Sequence, residues 1–364
     1  MDRFAFIIHP LVAKDFARKF PFAKNWRDGF IEGIIKYIPP FKVSNITGIA
    51  SPLNQSEGWF VVCPLTSRQM VEMPEEYVIQ KIIKTGKVAE KLGAKIVGLG
   101  AFTSVVGDAG ITVAQNLNAA VTTGNSYTVA TALEGMRQAA GIMDMSLERA
   151  NILILGATGS IGAACAQILA REVRFLTLAA RDEIKLEKLA EQILRATGLA
   201  VRVTANTKAA MKAADIIIAV TSAVDSIIEP EDLKPGAIVC DVARPRNVSR
   251  QVAQMRDDIL VIEGGVVEVP GDVDFGINFG FPSGTAYACM AETMILALEQ
   301  RYENFTLGRE LTVKQVETID QLAKKHGFKL SGFRSFDRAI TPEEIAVIKA
   351  NAAAKMDISR RVIG

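Results

Sequence analysis

The sequence predicts an α/β protein: a Rossmann-like doubly wound parallel sheet, an N-terminal α/β substrate domain and a C-terminal helical segment. Three observations carry this. A glycine turn, GATGSIG (Gly156 to Gly162), separates an apolar strand from a helix. Short apolar strands alternate with helical stretches on its C-terminal side. The chain has 364 residues, 49% of them hydrophobic, which exceeds one comfortable core. The expected divisions are 1–128, 129–283 and 284–364.

In the first division, FAFIIH (Phe4 to His9) and GWFVVCPL (Gly58 to Leu65) read as strands. Pro74 to Gly93 has apolar residues at helical spacing, with Pro at its start and Gly at its end. AKIVGLG (Ala94 to Gly100) is a buried strand, and AFTSVVGDAG is a loop. Thr122 to Met143 opens with a polar cluster and continues as a helix that connects two domains. Asn151 to Leu155 is the strand before the glycine turn. FLTLAAR, ending at Arg181, is the next strand, and a helix (Glu183 to Thr197) and LAVRVTA follow. Ala214 to Ala223, Gly236 to Val248 and Asp258 to Gly265 continue the alternation. Helices are expected over Thr285 to Tyr302, Thr312 to His326 and Pro342 to Ala354.

The turn has a mechanism. Gly156 permits the tight bend, Gly159 lets a pyrophosphate reach backbone N–H groups at a helix start, and Gly162 lets that helix pack against the sheet. Ala157, Thr158, Ser160 and Ile161 complete the cradle. Arg181 stands where a 2′-phosphate would lie, which favours NADPH, although the next residue, Asp182, could instead hold a ribose. Thr221, Ser222, Val242, Ala243, Gly264 and Gly265 fall at strand ends, where the nicotinamide ribose would lie.

Composition removes several chemistries. A formal net charge of +2 without basic runs offers nothing to nucleic acid. Only two histidines, His9 and His326, are present, so a Ser-His-Asp triad or a histidine metal site is not expected. Cys63, Cys165, Cys240 and Cys289 lie far apart and lack metal-ligand spacing. MDRFAFIIHP has no signal-peptide pattern, and a reducing cytoplasm is the expected compartment. The longest apolar stretch, Ile152 to Ala170, is broken by the turn glycines, so at most peripheral membrane contact is expected.

Cys289 sits in GTAYACMAETM. Pro282 to Thr285 reads as a helix start, which would put Cys289 in the first two turns, where the helix dipole favours a thiolate. It would then attack an acyl group and carry it as a thioester. Alternatively Ala286, Cys289 and Thr293 form a small-residue packing face. Cys165 and Cys240 read as core, and Cys63 is the rival nucleophile. His9, Ser126, Tyr127 and Glu292 are positional candidates for moving a proton.

Eight stretches together resemble one family: LGAFTS (Leu99 to Ser104), TTGN (Thr122 to Asn125), GATGSIG, AAR (Ala179 to Arg181), GGVVE (Gly264 to Glu268), YACMAETM (Tyr287 to Met294), NFTLGR (Asn304 to Arg309) and HGF (His326 to Phe328). The chain is similar, up to about Phe328, to the long-chain acyl-[acyl-carrier-protein] reductases known from cyanobacteria. The resemblance implies reduction of a fatty acyl thioester, on acyl carrier protein or coenzyme A, to a fatty aldehyde with NADPH. It implies that Cys289, in A-C-x-A-E, is the nucleophile, and it raises an aldehyde-consuming enzyme as a partner. Asp272 to Ser283 is richer in Gly and Phe than the family's equivalent, and the tail from about Leu330 has no counterpart there. A shikimate-type dehydrogenase shares the domain layout, but Tyr127 and Thr128 stand where its aspartate is expected. DVARPRNV (Asp241 to Val248) is similar to a strand–loop of glutamyl-tRNA reductase, whose nucleic-acid substrate the charge does not suit.

Overall fold

A computed structural model of the chain describes residues 2–15, 23, 25–223, 225–278 and 280–363. The chain forms two compact units, and both are discontinuous in sequence. The first comprises Met1–Tyr127, Val267–Glu310 and Gln315–Lys329. The second comprises Thr128–Val266, Leu311–Lys314 and Leu330–Gly364. This differs from three consecutive divisions: residues 284–310 belong with the N-terminal residues, because their helix packs on that unit's strands.

The first unit opens with β1 (Asp2–Ile8), α1 (Asp28–Ile35), β2 (Phe41–Ala50) and β3 (Gln55–Val62). Then come α2 (Ser67–Glu72), α3 (Glu75–Lys91), β4 (Ile96–Leu99), α4 (Ile111–Gln115) and β5 (Ala120–Thr122). Strand β4 is buried along its whole length, as its unbroken apolar run predicts. Helix α5 (Asn125–Ile142) begins in this unit and continues into the second. The polar residues Thr122 to Gly124 precede the helix, and do not form its first turn.

The second unit contains β6 (Asn151–Leu155), α6 (Ser160–Leu169), β7 (Phe175–Ala179), α7 (Glu183–Thr197), β8 (Arg202–Thr204) and α8 (Thr207–Ala213). It continues with β9 (Ile216–Ala219), β10 (Ile238–Asp241), α9 (Arg250–Met255) and β11 (Leu260–Glu263). Its sheet runs β11-β10-β9-β6-β7-β8 and every pairing is parallel. That is the doubly wound order with a switch point beside β6, where α/β sheets bind ligands. Leu153, Leu155, Ile217, Val239 and Val261 share one core cluster.

The chain then returns through β12 (Val266–Glu268), β13 (Gly271–Asp274) and β14 (Thr285–Tyr287) to α10 (Ala288–Leu298) and α11 (Val313–His326). Strand β13 pairs with β2 and completes a six-stranded sheet in the first unit, ordered β13-β2-β3-β1-β4-β5. Short strands β15 (Lys329–Leu330), β16 (Arg334–Ser335) and β17 (Arg338–Ala339) and helix α12 (Pro342–Ile363) end the chain. Among the described residues no helix is long and apolar enough to cross a membrane.

Candidate functional site

Helix α10 is apolar on nearly every side, and residues Met290 to Leu298 are all buried. It lies against β1 and β4 of its own unit. Burial of Met294, Ile295, Leu296 and Leu298, at roughly 2 kcal/mol each, fixes its axis. The helix starts later than the sequence suggests. Thr285 to Tyr287 is strand β14, and Tyr287 is the N-cap, so Cys289 is the second residue of the first turn. Ala286 is therefore a strand residue and forms no helical face with Cys289.

The four cysteines separate by exposure. Cys63, Cys165 and Cys240 are buried, and Cys289 alone is not. Burial pushes the Cys63 thiol up to about 12 despite a hydrogen bond from Thr85. It pushes Cys165 to about 12 and raises Cys240 as well. The rival nucleophile is thus an inert core thiol.

Two motifs meet at Cys289. Gly124, with φ of +76°, lies so close that an added Cβ would stand 2.4 Å from the Cys289 Cα and 2.5 Å from its Cβ. Three residues along, the fully buried Glu292 ties α10 to the same loop. Its Oε1 accepts from the Thr306 hydroxyl at 2.9 Å and from Thr122. Its Oε2 accepts from the Ser126 hydroxyl at 2.6 Å and the Tyr127 N–H at 2.9 Å. Glu292 and Ser126 are therefore anchors of the loop, and a buried carboxyl with four donors is satisfied in place. Thr306, in the NFTLGR stretch, completes a network that no local pattern foretells. Thr123, in the same loop, has a buried hydroxyl with no hydrogen-bond partner among the described residues.

His9 is occupied structurally. Its Nδ1 pairs with the Pro10 carbonyl at 3.0 Å, and its Nε2 accepts the Phe102 N–H at 3.2 Å. Desolvation lowers it to about 4, so the ring is neutral near pH 7. His326 is held between Glu299 and Ser51. Among the described residues no His, Cys, Asp and Glu cluster could hold a metal ion.

The second unit carries the glycine turn. Gly156 follows β6 with φ of +93°, and its N–H donates to the Ala179 carbonyl at 2.8 Å, as does that of Ala157 at 3.2 Å. A Cβ on Gly156 would lie 2.9 Å from the Val220 carbonyl oxygen. A Cβ on Gly162 would lie 2.5 Å from the Gly156 oxygen. The protein's own backbone demands both glycines. Gly159, the N-cap of α6, is different: a Cβ there would meet a single atom, at 3.4 Å. Packing leaves Gly159 unexplained, whereas the close approach of a pyrophosphate to the backbone at the start of α6 explains it. These residues fit a dinucleotide.

Strand β7 ends at Ala179, and Arg181 is exposed, with no ion pair or hydrogen bond among the described residues. Asp182 is otherwise engaged: it N-caps α7 through Lys185 N–H at 3.0 Å, and Lys185 Nζ pairs with it at 2.9 Å. At this strand end Asp182 is thus engaged within the chain, whereas Arg181 has no such partner among the described residues. Thr221 donates its N–H and hydroxyl to Asn247 Oδ1, at 3.1 and 2.9 Å, and Ser222 is exposed. Gly264 lies against Val242, 2.7 Å from a would-be Cβ, and Gly265 follows with positive φ. Asp241 accepts from the Ala243 and Val248 N–H groups and so pins the loop after β10.

Residues 137–262 match the family model described as shikimate / quinate 5-dehydrogenase, which coincides with most of the second unit. The chain is 31% identical over 322 residues to the aminotransferase PigE of Serratia sp., covering 87% of this chain and 37% of that protein. It thus spans little more than a third of that relative's length. It is 28% identical over 306 residues to the long-chain acyl-[acyl-carrier-protein] reductase of Synechococcus elongatus, covering 80% of this chain and 87% of that enzyme. Among solved structures, the NAD-dependent malic enzyme of Thermotoga maritima aligns over 97% of this chain and 83% of that one, with 12% identity and a TM-score of 0.43. The second unit is a Rossmann-like doubly wound sheet, and its sequence is similar to the shikimate / quinate 5-dehydrogenase family model.

Proposed function

We propose that the protein reduces a fatty acyl thioester to a fatty aldehyde, with Cys289 carrying the acyl group. The observation that carries this is the environment of Cys289. It is the only one of the four cysteines that is not buried, and it stands in the first turn of a helix fixed by buried apolar packing and the Glu292 network. The similarity to the acyl-[acyl-carrier-protein] reductase, which extends over 87% of that enzyme, supports it.

The Cys289 thiolate attacks the acyl carbonyl, and the carrier thiol leaves with a proton. NADPH supplies the hydride that brings the acyl carbon to the aldehyde level. Collapse of the thiohemiacetal on Cys289 then releases aldehyde and restores the thiolate. Backbone N–H groups at the start of α10 favour negative charge on the sulfur in both states. Acyl carrier protein or coenzyme A delivers the acyl group, and an aldehyde-consuming enzyme removes the product.

The test mixes protein, NADPH and a long-chain acyl thioester and measures aldehyde. Cys289→Ala should abolish it and Cys63→Ala should preserve it, with the acyl adduct found on Cys289 by mass spectrometry. Unchanged turnover in Cys289→Ala would sink the proposal. Oxidation of a cyclic alcohol with no thioester reduction would favour the shikimate-type reading instead.

A further inference from the structure

In the first unit, the return from β13 to β14 encloses a cleft of about 210 Å³. Val273, Phe275, Ile277, Phe281, Gly284 and Thr285 line it. Val273 and Phe275 are buried, and Ile277 and Phe281 are half-buried. Three polar side chains of the lining are engaged within the return itself. Asp274 Oδ1 accepts the Gly276 N–H at 2.8 Å, and Asn278 Oδ1 accepts the Gly280 N–H at 2.6 Å. The Thr285 hydroxyl donates to the Pro282 carbonyl at 2.8 Å. The apolar wall is aromatic and branched aliphatic, the chemistry that takes an alkyl chain. An apolar cavity of about 150 Å³ holds benzene, so this volume takes roughly eight carbons.

Two connections tie this cleft to Cys289. The first runs along the chain. Thr285 lines the cleft and stands four residues before Cys289, a span of at most about 14 Å. Within that span the Tyr287 ring, at the N-cap of α10, meets Phe281 edge to face at 4.6 Å. The second runs across the sheet. A Cβ on Gly98 would strike both Phe6 and Thr293, so the Phe6 ring lies under α10, one turn past Cys289. Phe6 and Phe60 are register partners with ring centroids 6.4 Å apart, and Phe275 follows 6.0 Å from Phe60. Phe275 therefore sits on the sheet face that carries α10. A short acyl group on Cys289 ends before the cleft, and a long one reaches it.

We propose that this cleft receives the distal part of the acyl chain carried on Cys289, and that Ile277 and Phe281 set the chain length accepted. The inference rests on the reductase reading and assigns it a specificity site. Acyl transfer to Cys289 is timed by mass spectrometry on the full chain, with butyryl and palmitoyl coenzyme A. Ile277→Trp, which fills the cleft, should slow palmitoyl transfer at least about tenfold more than butyryl transfer. Ile277→Ala, which enlarges it, should shift the fastest substrate toward longer chains. A second readout needs no nucleophile: cis-parinaric acid, a fluorescent fatty acid, should bind the Cys289→Ala chain. Adding Ile277→Trp should weaken that binding at least about tenfold while the thermal midpoint holds. Equal slowing of both thioesters by Ile277→Trp overturns the proposal and leaves the reductase reading intact. So does parinaric acid binding that ignores Ile277→Trp, or no such binding at all. If no thioester acylates Cys289 while Ile277→Trp still weakens parinaric acid, the reductase reading falls and the cleft stands as an alkyl-chain site.

Discussion

His9 and Glu292 show how single residues here serve the fold. Burial disfavours the charged His9 imidazole and lowers it from its ordinary 6.5 to about 4 in the folded chain. Between those values the unfolded chain holds a proton that the folded chain lacks. Its contribution is therefore complete above pH 6.5 and is lost as pH falls toward 4. Partial exposure keeps the slope below the one-proton limit of ~1.4 kcal/mol per pH unit. Urea midpoints against pH should flatten over this window in His9→Gln. At Glu292, Gln would turn an NH₂ toward groups that already donate, including the fixed Tyr127 N–H. Glu292→Gln should cost about 2–4 kcal/mol, and denaturant titration reads it. Gly124→Ala adds left-handed strain to a clash with Cys289 backbone atoms. It should lower both stability and the rate of acyl transfer, measured as adduct formation on Cys289.

At the scale of elements, the turn between β6 and α6 separates what folding needs from what binding needs. Gly162→Ala drives a Cβ into the Gly156 oxygen and should destabilise the unit, with a lowered melting temperature. Gly159→Ala, with its single 3.4 Å contact, should leave melting unchanged and weaken NADPH binding, seen by cofactor fluorescence. Arg181→Gln should reduce the preference for NADPH over NADH by at least about tenfold, since one charged hydrogen bond to phosphate is at stake. Helix boundaries carry the same lesson. TTGN and GTAY look like helix starts, but each precedes its helix. Thr122 ends β5 and β14 takes Thr285 to Tyr287, where strand pairing competes with capping. Those shifts put Cys289 nearer the helix end than its sequence context indicates.

Across the whole molecule, the tail beyond Leu330 is part of the second unit. Lys355 pairs with Asp257 and with the fully buried Asp258, whose carboxyl Arg256 and Lys355 hold below its ordinary range against desolvation. Asp337 and Arg246 bind each other, and Arg246 also pairs with Glu263 at 2.9 Å. Lys355→Met should lower the unfolding free energy by about 1–2 kcal/mol, because Asp258 keeps Arg256. Removing residues 331–364 should cost more and depress the thermal midpoint of the full chain.

The sequence by itself determined the alternation of strands and helices, the doubly wound sheet, the glycine cradle and the identity of the four cysteines. Those features are local: period, turn chemistry and apolar runs declare them within a few residues. Only the tertiary structure decided which cysteine stays accessible, which carboxyls anchor loops, and where the units divide. Cys63 and Cys289 look alike in sequence, but Cys63 is buried where its N–H meets the Ile8 carbonyl of β1 and Thr85 of α3 reaches its thiol, and Cys289 is not buried. Glu292 meets Thr122, Ser126 and Thr306, two of them some 170 positions away. Contacts of that separation depend on how the chain returns to its first sheet, and no local pattern encodes that return.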